Sequence, residues 1–266
     1  MTASTPVLEV SRTGAVLTLT LNRPEALNAF DRNLSTQLID ALDDGDKDDS
    51  VRAIIVTGAG RAFTAGQDIN ELAESVREGG AAAIGAQMRE SLNPMVLKLR
   101  TVEKPIIAAV NGYTTGAGLG VALACDIRIA SDSSTFAMSP FGIGFIPGVG
   151  TTALLPAIVG LGRATELTFT SARITAARAF AIGMVNRVVA PDELMAEAQR
   201  RAELLASLPT KTIGLTKRAF NHSMLPNFAE HLDYEASLQE LAGATEDHRE
   251  GLAAAIEKRR PVFVGR

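Results

Sequence analysis

Cysteine occurs once in the 266 residues, at Cys125, and histidine three times, at His222, His231 and His248. A single thiol excludes an internal disulfide and a cysteine-based metal site, and three scattered imidazoles make no ligand spacing. A reducing compartment and no bound metal are therefore expected. Long runs of like charge are also missing. Lys and Arg number 26 against 30 Asp and Glu, for a formal charge of −4. Without a basic tail there is no footprint for nucleic acid or anionic lipid. No window approaches the ~18 uninterrupted apolar residues of a membrane span, and the opening MTASTPVLEVSRTG has no basic segment ahead of an apolar one. The expectation is a cytoplasmic protein with neither a membrane nor a nucleic-acid partner.

What is present is apolar content, 46% of residues, over a length that suits one large domain or a domain with an appended helical segment. Residues 7–11 and 15–21 are β-rich and flank Thr13-Gly14, which predicts a hairpin that Asn22-Arg23-Pro24 then ends. Asp31 is the expected N-cap of a helix whose apolar face is Leu34, Leu38, Ile39 and Leu42, running to an acidic turn at 43–49. Residues 53–57 and 105–110 read as buried parallel strands, with a helix around 86–100 between them and Gly79-Gly80 as a flexible stretch. Beyond about residue 150 the pattern is mostly helical. The predicted architecture is an α/β core of repeated β-β-α units over residues 1–190, followed by a helical segment, 191–266, available to cover a neighbouring subunit.

Three glycine-rich segments follow or end near strands: TGAGRAFTAGQDI (57–69), NGYTTGAGLGVALACDI (111–127) and FGIGFIPGVGT (141–151). Glycine there lets backbone N–H groups approach a ligand, and a helix N-terminus adds partial positive charge, although any one segment alone reads as a tight turn. A dinucleotide fingerprint fails twice: Val121 and Phe63 stand where the third glycine belongs. No G-x-x-x-x-G-K-[ST] is present, so NAD and ATP are not expected.

Taken jointly, LNRPEALNAF (21–30), RAFTAGQDI (61–69), KPIIAAVNGYTTGAGLGVALACDI (104–127), GFIPGVGTT (144–152) and EKRRPVF (257–263) resemble the crotonase superfamily of enoyl-CoA hydratases and isomerases. The C-terminal TKRAFN (216–221) and EDHREGLAAAIEKRRPVF (246–263) are similar to its PaaG-like isomerase branch. The resemblance covers nearly the whole chain. It implies a crotonase-like fold, an acyl-CoA substrate with coenzyme A as part of that substrate and no separate cofactor, and a homotrimer or dimer of trimers. It also implies an oxyanion hole from the backbone N–H groups of Ala65 and Ala117, which would stabilise an enolate. For the coenzyme half it implies loop contacts at Ala26, Ala62, Ala65, Gly66, Gln67 and Asp68, and phosphate contacts from Arg23 and Lys258, the latter across a subunit interface. Arg61, Arg259 and Arg260 would complete a basic cluster.

The same resemblance assigns the two hydratase glutamates to positions 120 and 140, and an isomerase carboxylate to position 148. Here these are Gly120, Pro140 and Gly148, none with a titratable side chain. The implied activity is enoyl-CoA isomerisation or weak hydration, with a non-catalytic acyl-CoA-binding protein, a thioesterase or a decarboxylase as alternatives. Gly120→Glu with Pro140→Glu is expected to restore hydration. Asp68, Glu71, Tyr113 and Ser139 are candidate replacement bases. Three have a plainer reading: Asp68 as a loop organiser, Glu71 as a solvated helix charge, Tyr113 as packing. Asp126 and Arg128 read as a structural pair.

Overall fold

The computed structural model describes residues 6–138 and 140–266, so the Ser139 candidate lies outside the described residues. In chain order the elements are β1 (Leu8–Thr13), β2 (Val16–Leu21), α1 (Arg32–Lys47), β3 (Ala53–Gly58), β4 (Ala62–Thr64), α2 (Ile69–Gln87) and α3 (Asn93–Thr101). Then follow β5 (Ile106–Val110), β6 (Tyr113–Thr115), α4 (Ala117–Ala124), β7 (Ile127–Ser131), β8 (Thr135–Ala137), α5 (Thr151–Val159) and α6 (Leu161–Phe169). The chain closes with β9 (Arg173–Thr175), α7 (Ala176–Ala181), β10 (Arg187–Val189), α8 (Leu194–Ser207), α9 (Thr210–Met224), α10 (Phe228–Gly243) and α11 (Glu246–Glu257).

The expected hairpin is β1–β2, antiparallel with Leu8 opposite Leu21. From β2 onward the larger sheet is parallel, in the order β1-β2-β3-β5-β7-β10. A smaller sheet runs β4-β6-β8-β9. Strands β3, β5 and β7 each hand the chain to β4, β6 and β8, and a helix follows, which is the repeated β-β-α unit. Because successive side chains in a strand face opposite sides, Ile54 and Val56 point into the main core with α1 and α3, while Ala53 and Ile55 point the other way. There they meet Leu194, Ala198, Ala202 and Ala206 of α8. Residues 191–266 thus begin by covering the second face of the sheet, so the two stretches expected as core and appendage share a hydrophobic core.

Asp31 caps α1 as expected, accepting from the Leu34 N–H at 2.7 Å. The helix continues past the anticipated acidic stop to Lys47 because its C-terminal carbonyls find a cation: Lys104 Nζ donates to Gly45 O at 2.7 Å and also to Asp48 O. The supposed flexible stretch lies inside α2, which bends at Gly80 with φ 65°, a left-handed value that glycine adopts without strain. Helix α2 is retained across the bend because it packs along α10. Asp126 and Arg128 do not pair. Asp126 bridges Arg100 and Lys217 and accepts from the Ile106 N–H, whereas Arg128 donates to the carbonyls of Met184 and Cys125.

No helix among the described residues is long and apolar enough to cross a membrane, and no group of three His, Cys, Asp or Glu among them is placed to hold a metal ion.

Candidate active site

A cavity of about 380 Å³ opens where the two small-sheet loops, the start of α2 and the 144–151 loop meet. Its two working edges are the segment after β4 and the N-terminus of α4. Asn28 fixes the first from a distance: its Nδ2 donates to Ala59 O and Ala62 O at 2.9 and 2.8 Å. Gly66, at φ 91°, brings this segment against α4 so closely that an added Cβ would lie 2.8 Å from Thr115 O and 3.0 Å from the Ala117 nitrogen. Only glycine permits that approach.

Along this segment the backbone donors are committed one after another. Ala65 N–H donates to Leu27 O at 2.9 Å, Gly66 N–H to Thr64 Oγ1 at 3.0 Å and Asp68 N–H to Phe30 O at 2.9 Å. Among the described residues the Gln67 N–H has no acceptor. Ala65 borders the cavity, but the donor expected of it is already spent, and the free one lies two residues on. The reason is the turn at Leu27, in the left-handed region with φ 52°, which aims its carbonyl at residue 65. Sequence spacing alone holds no trace of that contact.

Ala117 stands on the opposite edge. It is the first residue of α4, its N–H has no acceptor among the described residues, and it borders the cavity. The first N–H groups of a helix lack intrahelical partners and carry the positive end of its dipole. Two unpaired donors, from Gln67 and Ala117, therefore stand on facing edges of one apolar opening.

The lining is otherwise poor in charge. Leu72, Met88, Leu92, Phe145 and Ile146 form its apolar walls, with Gly148 and Thr151 beside them. Among the described lining residues Tyr113 is the sole ionisable side chain, and the Arg173 guanidinium sits 5.1 Å from its ring centroid. Gly120 is one turn into α4 and is pressed against the 149–151 backbone, where its hypothetical Cβ would be 2.4 Å from Val149 O. Gly148 is on the cavity wall beside Met88. Pro140 starts the 3₁₀ turn Pro140–Ile143.

The remaining candidates are engaged elsewhere. Asp68 caps α2 through the Asn70 and Glu71 N–H groups and pairs with Arg23 at 3.1 Å. Arg23 also pairs with Asp31 and donates to Ala29 O at 2.6 Å. Glu71 accepts from the Arg32 N–H rather than standing free, and burial, with Asp31 and Asp68 nearby, raises its pKa. Ala26 ends the 3₁₀ turn Pro24–Ala26 and Ala62 lies buried in β4, neither bordering the cavity. Lys258 is the left-handed C-cap of α11, exposed and away from the cavity lining. Arg259 is paired with Glu250 and Glu257, which removes it from the expected basic cluster. Two groups escaped sequence reasoning. Buried Glu235 receives the Gly150 and Thr152 N–H groups at 2.8 and 3.1 Å, and Gln239 accepts from the Ile146 N–H at 3.1 Å.

Two mostly parallel sheets built from β-β-α units, with paired backbone donors at an apolar cavity, define an α/β protein suited to binding a polarisable carbonyl. The chain belongs to the enoyl-CoA hydratase/isomerase family, whose model matches residues 11–266. It is 41% identical to the 1,2-epoxyphenylacetyl-CoA isomerase of Escherichia coli over 252 residues, covering 94% of this chain and 95% of that one. To the short-chain-enoyl-CoA hydratase of Clostridium acetobutylicum it is 38% identical, covering 94% and 95%. An enoyl-CoA hydratase from Mycobacterium avium subsp. paratuberculosis K-10 superposes with a TM-score of 0.86 at 31% identity, covering 97% of this chain and 98% of that one.

Proposed function

We propose that this protein is an acyl-CoA isomerase that binds a thioester with its carbonyl oxygen between the Gln67 and Ala117 N–H groups and stabilises the enolate formed when a proton leaves the acyl chain. The observation that carries the reading is the pair of unspent backbone donors on facing edges of the cavity. Donors fixed before reaction need no reorganisation as charge develops on the oxygen, and the apolar walls strengthen them. Coenzyme A is part of the substrate, and no further cofactor is required.

Hydration is disfavoured on the same grounds. It needs one group to activate water and another to deliver a proton, and positions 120, 140 and 148 supply neither. Moving a proton between two carbons of an enolate needs only one relay, for which Tyr113 is the ionisable side chain at hand. A second reading, an acyl-CoA-binding protein without turnover, is favoured by the carboxylate-free lining. Thioester hydrolysis and decarboxylation also use an oxyanion hole, but no observation favours either.

The test is a panel of 2-enoyl-, 3-enoyl- and saturated acyl-CoA thioesters run for turnover and, in parallel, for binding by calorimetry. Double-bond migration without hydration is the expected result. Tight binding with no turnover selects the second reading, and hydration at the rate of an authentic hydratase overturns the assignment of Gly120 and Pro140. Absence of binding overturns both readings.

A further inference from the structure

Gln239 is 5% exposed and borders the acyl cavity. Its Oε1 accepts the Ile146 N–H at 3.1 Å, which decides which end of the amide is oxygen. The Nε2 group therefore occupies the other end, and among the described residues it has no acceptor. Amide N–H donors that face a largely apolar cavity lose hydrogen bonds to water when a ligand fills it, unless the ligand brings an acceptor. The cavity it borders is largely apolar, with Leu72, Met88, Phe145 and Ile146 in its walls and the hydroxyls of Tyr113, Thr115 and Thr151 as further polar groups. Gln239 projects from α10, which packs on α2 and the turn at Met88–Leu92 rather than on α4. Its bond to Ile146 places it on the wall built by α10 and the 146–151 segment, a stretch of chain separate from the donors at Gln67 and Ala117.

We infer that Gln239 makes this cavity selective for acyl thioesters whose chain carries a neutral acceptor oxygen, such as a ketone or ether, beyond the reacting carbons. The proposal rests on the acyl-CoA reading above. Neutrality follows from the lining: among its described residues no Lys or Arg is present, so a chain-end carboxylate would be buried without a counter-charge. A site built to hydrogen-bond a substrate oxygen rejects the analogue lacking it more strongly than an apolar wall distinguishes methylene groups.

The experiment is calorimetric binding of hexanoyl-CoA, 4-oxohexanoyl-CoA, 5-oxohexanoyl-CoA and adipoyl-CoA to the wild type, Gln239→Met and Gln239→Glu at about pH 8. In the wild type at least one oxo chain should bind roughly 10-fold tighter than hexanoyl-CoA, the size of effect expected from one buried hydrogen bond. Adipoyl-CoA should bind no better than hexanoyl-CoA. In both variants the oxo preference should fall below about 3-fold. Gln239→Glu keeps an acceptor for the Ile146 N–H while removing the amide donors, so a residue that only anchors the loop would leave the preference untouched in that variant. A wild type without oxo preference, a preference that survives Gln239→Glu, or tightest binding of adipoyl-CoA overturns the inference. Failure of all four thioesters to bind the wild type overturns the acyl-CoA reading instead.

Discussion

A Cβ on Gly120 would lie 2.4 Å from the carbonyl oxygen of Val149 and 3.1 Å from Thr151 Oγ1. The first obstacle is backbone, so it cannot swing aside as a side chain would. Helix α4 lies directly against the 149–151 segment at this position. Gly120→Ala should destabilise the fold by about 2 kcal/mol, the cost typical of overpacking, measured by denaturant unfolding. Gly120→Glu with Pro140→Glu should restore no hydration, contrary to what the sequence alone suggests. An unchanged unfolding midpoint for Gly120→Ala would show that this segment yields easily.

Gly148 is the better place for a carboxylate. Its Cβ would meet only the Met88 thioether methyl, at 2.9 Å, the mobile end of an adaptable side chain. Gly148→Asp should fold with a loss below about 1.5 kcal/mol and raise 3-enoyl-CoA isomerisation by at least ~10-fold, the low side of what a positioned base supplies. A coupled isomerase assay reads the gain. A rate unchanged in a folded variant removes position 148 from the reaction path.

Ala117 is the first residue of α4, a position at which proline is accepted because its missing N–H has no helical partner. Ala117→Pro therefore deletes one donor and little else. Turnover should drop by about 10²–10³-fold, with thermal stability within about 1 kcal/mol of wild type. Equal turnover in the proline variant would end the two-donor account.

His248 is fully buried, stacked 4.3 Å from the Phe145 ring, and its Nδ1–H donates to Ile143 O at 2.7 Å. Burial pushes its pKa below the ordinary 6.5, so between the two values the unfolded chain holds a proton that the folded one does not. Its contribution to stability is full above 6.5 and is lost as pH falls through the lowered folded value. His231 acts in the opposite sense: the Glu235 carboxylate, 3.6 Å from its Nε2, raises its pKa, so its contribution fades as pH rises. His248→Phe, compared with wild type by thermal melts at about pH 7 and pH 5, should lose less stability on acidification. An identical acid-side slope in the two proteins would rule out His248 as the group responsible.

We expect a homotrimer or dimer of trimers in solution. Phe220 and Met224 on α9 are 64% and 60% exposed, with Leu208 and Leu215 nearby in the chain also exposed, a concentration of apolar surface unusual for an isolated subunit. Mass measurement at micromolar concentration decides, and a stable monomer would also remove Lys258 as a contact for a neighbour's coenzyme.

Strands β1, β2, β3 and β5, the Asp31 cap and the long C-terminal helices were legible from periodicity and turn residues. The three-residue strands β4, β6, β8, β9 and β10 were not, being too brief to show a period, and neither was helix α6. The front half of α2 was hidden by Gly79-Gly80, whose bend is tolerated only because α10 lies alongside. At the site, residues of all three glycine-rich segments line the cavity, Ala117 among them. The choice between Ala65 and Gln67 was beyond them, since it turns on a carbonyl of Leu27 that spends one amide and leaves the other. Whether glycine at 120 and 148 marks crowding or open space is likewise decided by Val149 and Met88, residues distant in sequence.

Glu235 and Gln239 are one helical turn apart on α10, and between them they grip the amides of Ile146, Gly150 and Thr152. The wall of the cavity is thereby pinned to a helix from the last quarter of the chain. Such a connection merges the two into one cooperative unfolding unit. The amides of the 146–152 segment, though lying in a loop and a helix start, should exchange with solvent at the slow rate of α10 itself. Removing the chain beyond residue 227 would unmake the pocket along with any subunit contacts, so binding and the C-terminal helices rise and fall together.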